Sequence, residues 1–185
     1  PRKNFLRFTL ATAPAIGLAA ALPVQAKPAA YADVPARAIE SLGTPLSQPT
    51  RTRIVSMQLP AVQKVLDRAP PLAGIDGKTV LPVLRLPLPD GRELSFRIAQ
   101  SEVMAPVLAA KYPMIKTYVG TATSDASITG RFQMDPRGFR AQMFTPEGTA
   151  YIDPYSRADT RNYQVYYRQD LPTRSPGPDT VVEKP

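Results

Sequence analysis

The chain has 185 residues, with no Cys, no His and no Trp but 22 Pro, and a formal net charge of +8. Without thiolates or imidazoles it can build no Cys/His zinc site, no Ser-His-Asp or Cys-His nucleophile pair, no disulfide framework and no CxxC redox pair. Carboxylate chemistry, lysine chemistry or no chemistry at all remain, in a length that fits one domain with appendages.

Residues 1–26 read as a secretory signal peptide. Arg2, Lys3 and Arg7 form a positive start, Phe8 to Leu22 carry no charge, and Val24-Gln25-Ala26 place small residues where a signal peptidase reads, with cleavage expected after Ala26. The apolar run is shorter than a spanning helix needs, and Pro14 interrupts it and Pro23 follows. Arg2-Lys3 departs from the paired arginines of twin-arginine export, so Sec export to a periplasmic or extracellular destination is the expectation. Removing this segment takes three cations and no anions, leaving an exported chain basic by five. Those cations never cluster in runs of four, and a nucleic-acid interface needs such a face, so none is expected. No membrane-binding amphipathic helix remains either.

Residues 27–49 are rich in Ala, Pro and Ser without sustained periodicity, and read as a flexible linker with a short helical piece over Ala36 to Leu42. The ordered domain is expected over 50–170. Arg51 to Leu59 suits a strand, and Pro60 opens a short helix whose buried stripe is Val62, Val65 and Leu66. Thr79 to Leu88 and Glu93 to Ile98 flank Asp90-Gly91, a strong hairpin signal, while Pro82, Pro87 and Pro89 demote the first strand to an edge. Ala105 to Tyr112 reads as a second short helix, with Val107, Leu108 and Tyr112 as its buried stripe. Strands follow at Ile115 to Val119, Ser127 to Met134, Phe139 to Phe144, Thr149 to Ile152 and Asn162 to Arg168, separated by Ser124-Asp125, Pro136-Arg137-Gly138 and Pro146-Glu147-Gly148 turns. The fold class is therefore mainly β: an antiparallel meander or sandwich-like sheet with one or two short helices. Residues 171–185 carry four prolines and read as a linker. A start at Pro1 rather than Met and a linker at the end read as a piece of a longer coding sequence.

From Leu84 to Arg168 five segments stand in a specific order. They are Leu86-Pro87-Leu88-Pro89-Asp90-Gly91; Val103-Met104-Ala105-Pro106; Leu108 through Tyr118 (LAAKYPMIKTY); Gly138-Phe139-Arg140-Ala141; and Tyr151-Ile152-Asp153-Pro154-Tyr155. In these the chain resembles the N-terminal propeptide region of bacterial secreted reprolysin-like zinc metalloproteases, members of the metzincins. The resemblance covers about half of the chain. It implies a non-catalytic prodomain that assists folding or covers the cleft of a following protease domain, its partner in cis. The HExxHxxGxxH helix and its zinc would belong to that domain, and this chain, with no His, would be no enzyme and hold no cofactor of its own. The absence of Cys removes the cysteine route by which many metzincin prodomains silence zinc. A carboxylate is a competent replacement ligand, and Asp153, Asp159 and Asp170 lie nearest the side where the protease would follow. Asp also favours turns, and Asp153-Pro154 reads as one.

Five of the 8 Tyr fall between Tyr151 and Tyr167. Tyr151, Tyr155, Tyr163 and Tyr167 are candidates for an aromatic platform, in a stand-alone secreted module binding a surface glycan or protein. The competing expectation is sheet packing, because Tyr163, Val165 and Tyr167 alternate with Gln164 and Tyr166 at strand period. Glu93, Glu102, Asp125 and Glu147 supply carboxylates for a glycosidase-like pair, but nothing in their spacing favours one over solvated charges.

Overall fold

The computed structural model describes residues 30–102, 105–157 and 159–172. The signal segment, Val103-Met104 and the Pro-rich stretch from 173 onward lie outside the described residues. Nine strands form one antiparallel sheet: β1 (Tyr31–Asp33), β2 (Arg53–Met57), β3 (Val83–Pro87), β4 (Glu93–Ser101), β5 (Lys116–Ala122), β6 (Thr129–Asp135), β7 (Gly138–Thr145), β8 (Gly148–Pro154) and β9 (Asn162–Tyr167). The spatial order is β1-β2-β9-β8-β7-β6-β5-β4-β3. Strands β3 to β9 are an uninterrupted meander, each hydrogen-bonded to the next in sequence. The β1–β2 pair joins the far side of β9, with Val55 opposite Tyr163.

Alternation decides which way the sheet curls. Every second residue of the long strands is buried, among them Leu84, Phe96, Ile98, Tyr118, Phe132, Phe139, Met143, Ile152, Tyr163 and Val165, and these form one cluster. A single sheet can bury one continuous apolar face only by wrapping around it, and this sheet is nearly closed. The seam lies between β1–β2 and the β3–β4 hairpin. Tyr31 donates to Glu93 at 2.7 Å, Arg53 to the Leu88 carbonyl at 3.0 Å and to Asp33 at 2.6 Å, and Glu93 is paired with Arg85. Tyr167 adds a bond to Asp90 at 3.2 Å. Arg53 lies opposite Val165 and Tyr31 opposite Met57, both inward positions, so polar groups reach the inner face at the seam.

Helix α2 (Leu59–Leu66) connects β2 to β3 and so spans the two sides of the seam. Pro60 sits in its first turn, and Val62 and Leu66 are fully buried. The Asp90-Gly91 hairpin forms as read, and β3, with its prolines, is an edge. Gly138 closes the β6–β7 turn at φ 118°, with the Tyr163 hydroxyl 2.6 Å from where a Cβ would stand, so no other residue fits.

Two expectations are corrected. The helical piece expected over Ala36 to Leu42 forms, as a helix α1 (Ala36–Ile39) and a 3-10 turn (Glu40–Leu42), but the flexible linker expected around it over 27–49 also contributes the strand β1. Backbone pairing anchors it, with Val34 N–H on the Ile54 carbonyl at 2.9 Å and Leu46 N–H on the Tyr155 carbonyl at 2.7 Å. Periodicity misses such a segment because it borrows its order from β2 and β8. The second correction concerns helix α3 (Pro106–Lys111), whose expected buried stripe is on the surface: Val107 is 85%, Leu108 47% and Tyr112 39% exposed. The 3.6-residue period shows which side chains share a face, not whether anything lies beneath it.

Candidate functional site

Of the three aspartates considered as zinc blockers, Asp153 and Asp159 have their carboxylates engaged within the fold. Asp159 accepts bonds from the backbone N–H of Arg161 at 2.8 Å and of Asn162 at 2.9 Å, and from Asn162 Nδ2 at 2.7 Å. Burial raises its pKa, but those hydrogen bonds outweigh it and hold the carboxyl below its ordinary value. This is the geometry of a turn residue. Asp153 accepts the Tyr166 hydroxyl at 2.8 Å and faces Arg140 Nε at 3.6 Å. Asp170 lies buried in the final 3-10 turn, where its carbonyl holds Thr50 N–H at 2.7 Å. Among the described residues, no three Asp or Glu side chains come together in a metal-holding group.

The other carboxylates are scattered among separate arginines and turns. Glu93 belongs to the seam, Glu147 pairs with Arg92 at 2.7 Å, Asp125 caps its own turn through Ser127 at 2.8 Å, and Glu102 is exposed.

The tyrosines divide by strand parity. Tyr163 and Tyr167 point into the core with Val165. The Tyr163 hydroxyl accepts Phe139 N–H at 3.2 Å and donates to the Thr160 carbonyl at 3.3 Å. Tyr155 is also buried. Tyr151 lies on the outer face, stacked on Tyr166 with centroids 5.7 Å apart and planes 26° apart. Tyr166 itself is 4% exposed. Its hydroxyl pKa is pushed up by burial and by the Asp153 charge it donates to. A four-tyrosine platform does not form; one ring pair does, and it includes a tyrosine the sequence reading passed over.

Tyr151 of that pair borders a concavity. A trough of about 550 Å³ crosses the outer face of β5 to β8, lined by Thr117, Arg131, Gln133, Arg140, Gln142, Tyr151 and Asp153, with Ser101 of β4 at its rim. The register makes a lattice of these side chains. Val119, Arg131 and Gln142 lie opposite one another in turn, as do Thr117, Gln133 and Arg140, while Gln142 continues to Tyr151. Gln142 Nε2 donates to the Tyr151 hydroxyl at 3.3 Å. Arg140 is held by Asp135 at 3.2 Å and by Asp153, so it forms a fixed wall. On its other side lies a hollow of about 320 Å³ between Leu46, Arg137, Arg140, Pro154, Ser156 and Arg157. Sequence reasoning missed Arg131, Gln133, Arg140 and Gln142. Their period-two placement opposite Phe132, Met134 and Ala141 was the available signal.

A second surface is apolar. Val107, Leu108 and Tyr112 continue to Met114, which is 54% exposed, and Ala109 is the one half-buried side chain between Val107 and Met114. Single exposed apolar residues are ordinary, but here four fall within eight positions. No family model, no curated protein and no solved structure matches the chain.

Proposed function

We propose that this chain is the non-catalytic prodomain of a secreted reprolysin-like zinc metalloprotease and docks on its own protease domain in cis. The observation that carries the reading is the exposed ridge of Val107, Leu108, Tyr112 and Met114. Three of the four, Leu108, Tyr112 and Met114, fall inside one of the segments that resemble the propeptide family, Leu108 to Tyr118. Fold stability does not account for apolar side chains that touch no core, whereas a partner that covers them does. Burying such a ridge is worth roughly 25 cal/mol per Å² of apolar area removed from water.

In this reading the prodomain contributes shape and apolar contact, and the protease contributes all the chemistry. Silencing of the enzyme then rests on covering the cleft rather than on Asp159, whose oxygens are committed to its own turn. The test has two steps. The coding sequence downstream is read for an in-frame HExxHxxGxxH. The protease domain it encodes is then refolded with and without this chain, and peptide hydrolysis is measured. Expected are higher recovery of refolded enzyme and inhibition by added chain, both lost when Val107, Leu108 and Met114 are changed to Ser. Absence of the motif, or full inhibition by the triple variant, overturns the reading.

A further inference from the structure

We infer that the outer trough across β5–β8 is a binding site for an oligosaccharide bearing carboxylates, of the uronic-acid class. The inference does not rest on the prodomain reading. Three observations carry it. First, the trough lies on a sheet face where every strand is paired on both sides, so the main chain has no ladder groups to offer. An extended peptide takes most of its affinity from such groups at a strand edge. Recognition here runs through side chains: the amides of Gln133 and Gln142, which spend one N–H each on Asp135 and Tyr151, the hydroxyl of Thr117, which donates to the Ser101 carbonyl and keeps its accepting side, and guanidinium groups. That inventory of planar donors and acceptors matches a ligand made of hydroxyls.

Second, Tyr151 offers a ring to the trough. One of its faces rests on Tyr166 and its hydroxyl is bonded by Gln142, so the ring is held before any ligand arrives. A fixed aromatic face stacks on the C–H face of a pyranose at little entropic cost.

Third, the charge is unbalanced. Arg140 faces two carboxylates, Asp135 and Asp153, so the four arginines of the two hollows exceed these acidic neighbours by two. Arg131 in the trough, and Arg137 and Arg157 in the adjoining hollow, have no acidic partner among the described residues and are exposed. Exposed cations in surplus over the carboxylates beside them select an anion, and guanidinium takes a carboxylate in a bidentate grip. The two hollows share Arg140 as their wall, so sugars spanning both would place successive carboxylates near Arg131 and near the Arg137–Arg157 pair.

The experiment is isothermal titration of the purified chain with a short oligogalacturonate, a neutral galactan oligomer and an oligoglutamate of equal charge. The oligogalacturonate is expected to bind. The neutral sugar should bind about tenfold more weakly, and Arg131→Gln should lower uronate affinity by about tenfold, the loss of one charged hydrogen-bonding partner. Tyr151→Ala should abolish binding, while Tyr151→Phe, which keeps the ring, should retain it. Arg131 is exposed, so Arg131→Gln remains a folded test even if Tyr151→Ala does not fold; thermal melts of each variant establish this. Oligoglutamate binding as tightly as oligogalacturonate would show charge attraction alone and overturn the inference. So would uronate affinity unchanged by Arg131→Gln, or no uronate binding at all.

Discussion

Phe132 covers two glycines that face each other across β5 and β6, Gly120 and Gly130. A methyl group added at Gly130 would stand 2.5 Å from Phe132 Cζ and 2.9 Å from its Cε1; one at Gly120 would stand 2.8 Å from Cε2. Carbon atoms pack at about 3.5–4.0 Å, so the ring would have to retreat by about 1 Å. It has nowhere to go. Phe96 meets it edge-on at 5.3 Å and Phe139 stacks on it at 6.3 Å, and the ring is 2% exposed. Overpacking of this kind costs about 1–3 kcal/mol. Against it, replacing Gly by Ala stiffens the unfolded chain and returns about 0.4–1 kcal/mol. Gly130→Ala should therefore lose about 1–2 kcal/mol net. Urea unfolding followed by tyrosine emission and far-UV circular dichroism is suitable, since the chain has no Trp. The decisive variant is Gly130→Ala with Phe132→Leu. The smaller side chain makes room for the methyl, so the double variant should be more stable than the sum of the single losses predicts, by more than about 0.5 kcal/mol. Additivity within that margin, or a stabilising Gly130→Ala, would show that the ring does not confine this position. The same contact bears on the trough, because the strands that carry these inward glycines carry Val119 and Arg131 on their outer face.

Tyr163→Phe removes the acceptor of the buried Phe139 N–H and should cost about 1–3 kcal/mol in the same assay, with little change in the slope against urea. The seam should respond to pH at both ends. The bond from Arg53 holds the Asp33 carboxyl below its ordinary value, and Arg85 and Tyr31 do the same for Glu93. Their contribution is thus present at neutral pH and lost as pH falls below about 4. Burial and the bond to Glu93 push the Tyr31 hydroxyl up to about 12, so its contribution is complete below its ordinary value of 10.0 and lost as pH rises from there toward about 12. Glu93→Gln should flatten the acid limb of the urea midpoint against pH, and Tyr31→Phe the alkaline limb.

Much of this chain was determined by its sequence alone. Alternation in Leu94-Phe96-Ile98 and Ile128-Gly130-Phe132-Met134, with turn dipeptides between, sets strand identity and the meander, because neighbouring strands joined by tight turns must pair antiparallel. Pro82 and Pro87 mark the edge because a strand without those N–H groups cannot be paired on both sides. Parity also separates Tyr163 and Tyr167 from Tyr166. Tertiary structure decided the rest. Tyr31 to Asp33 form a strand only because β2 lies alongside, and β2 reaches β9 through pairing 108 positions away in the case of Val55 with Tyr163. The helical pattern of Val107, Leu108 and Tyr112 is sound, yet its apolar face meets no core, since periodicity carries no information about what stands opposite. The trough depends on the register of four neighbouring strands, which brings Thr117, Gln133, Arg140 and Tyr151 to one face across 35 residues of chain. No local pattern encodes that meeting. It arises when one apolar face is buried by wrapping the sheet around it, which leaves the other face, with its arginines and amides, turned outward.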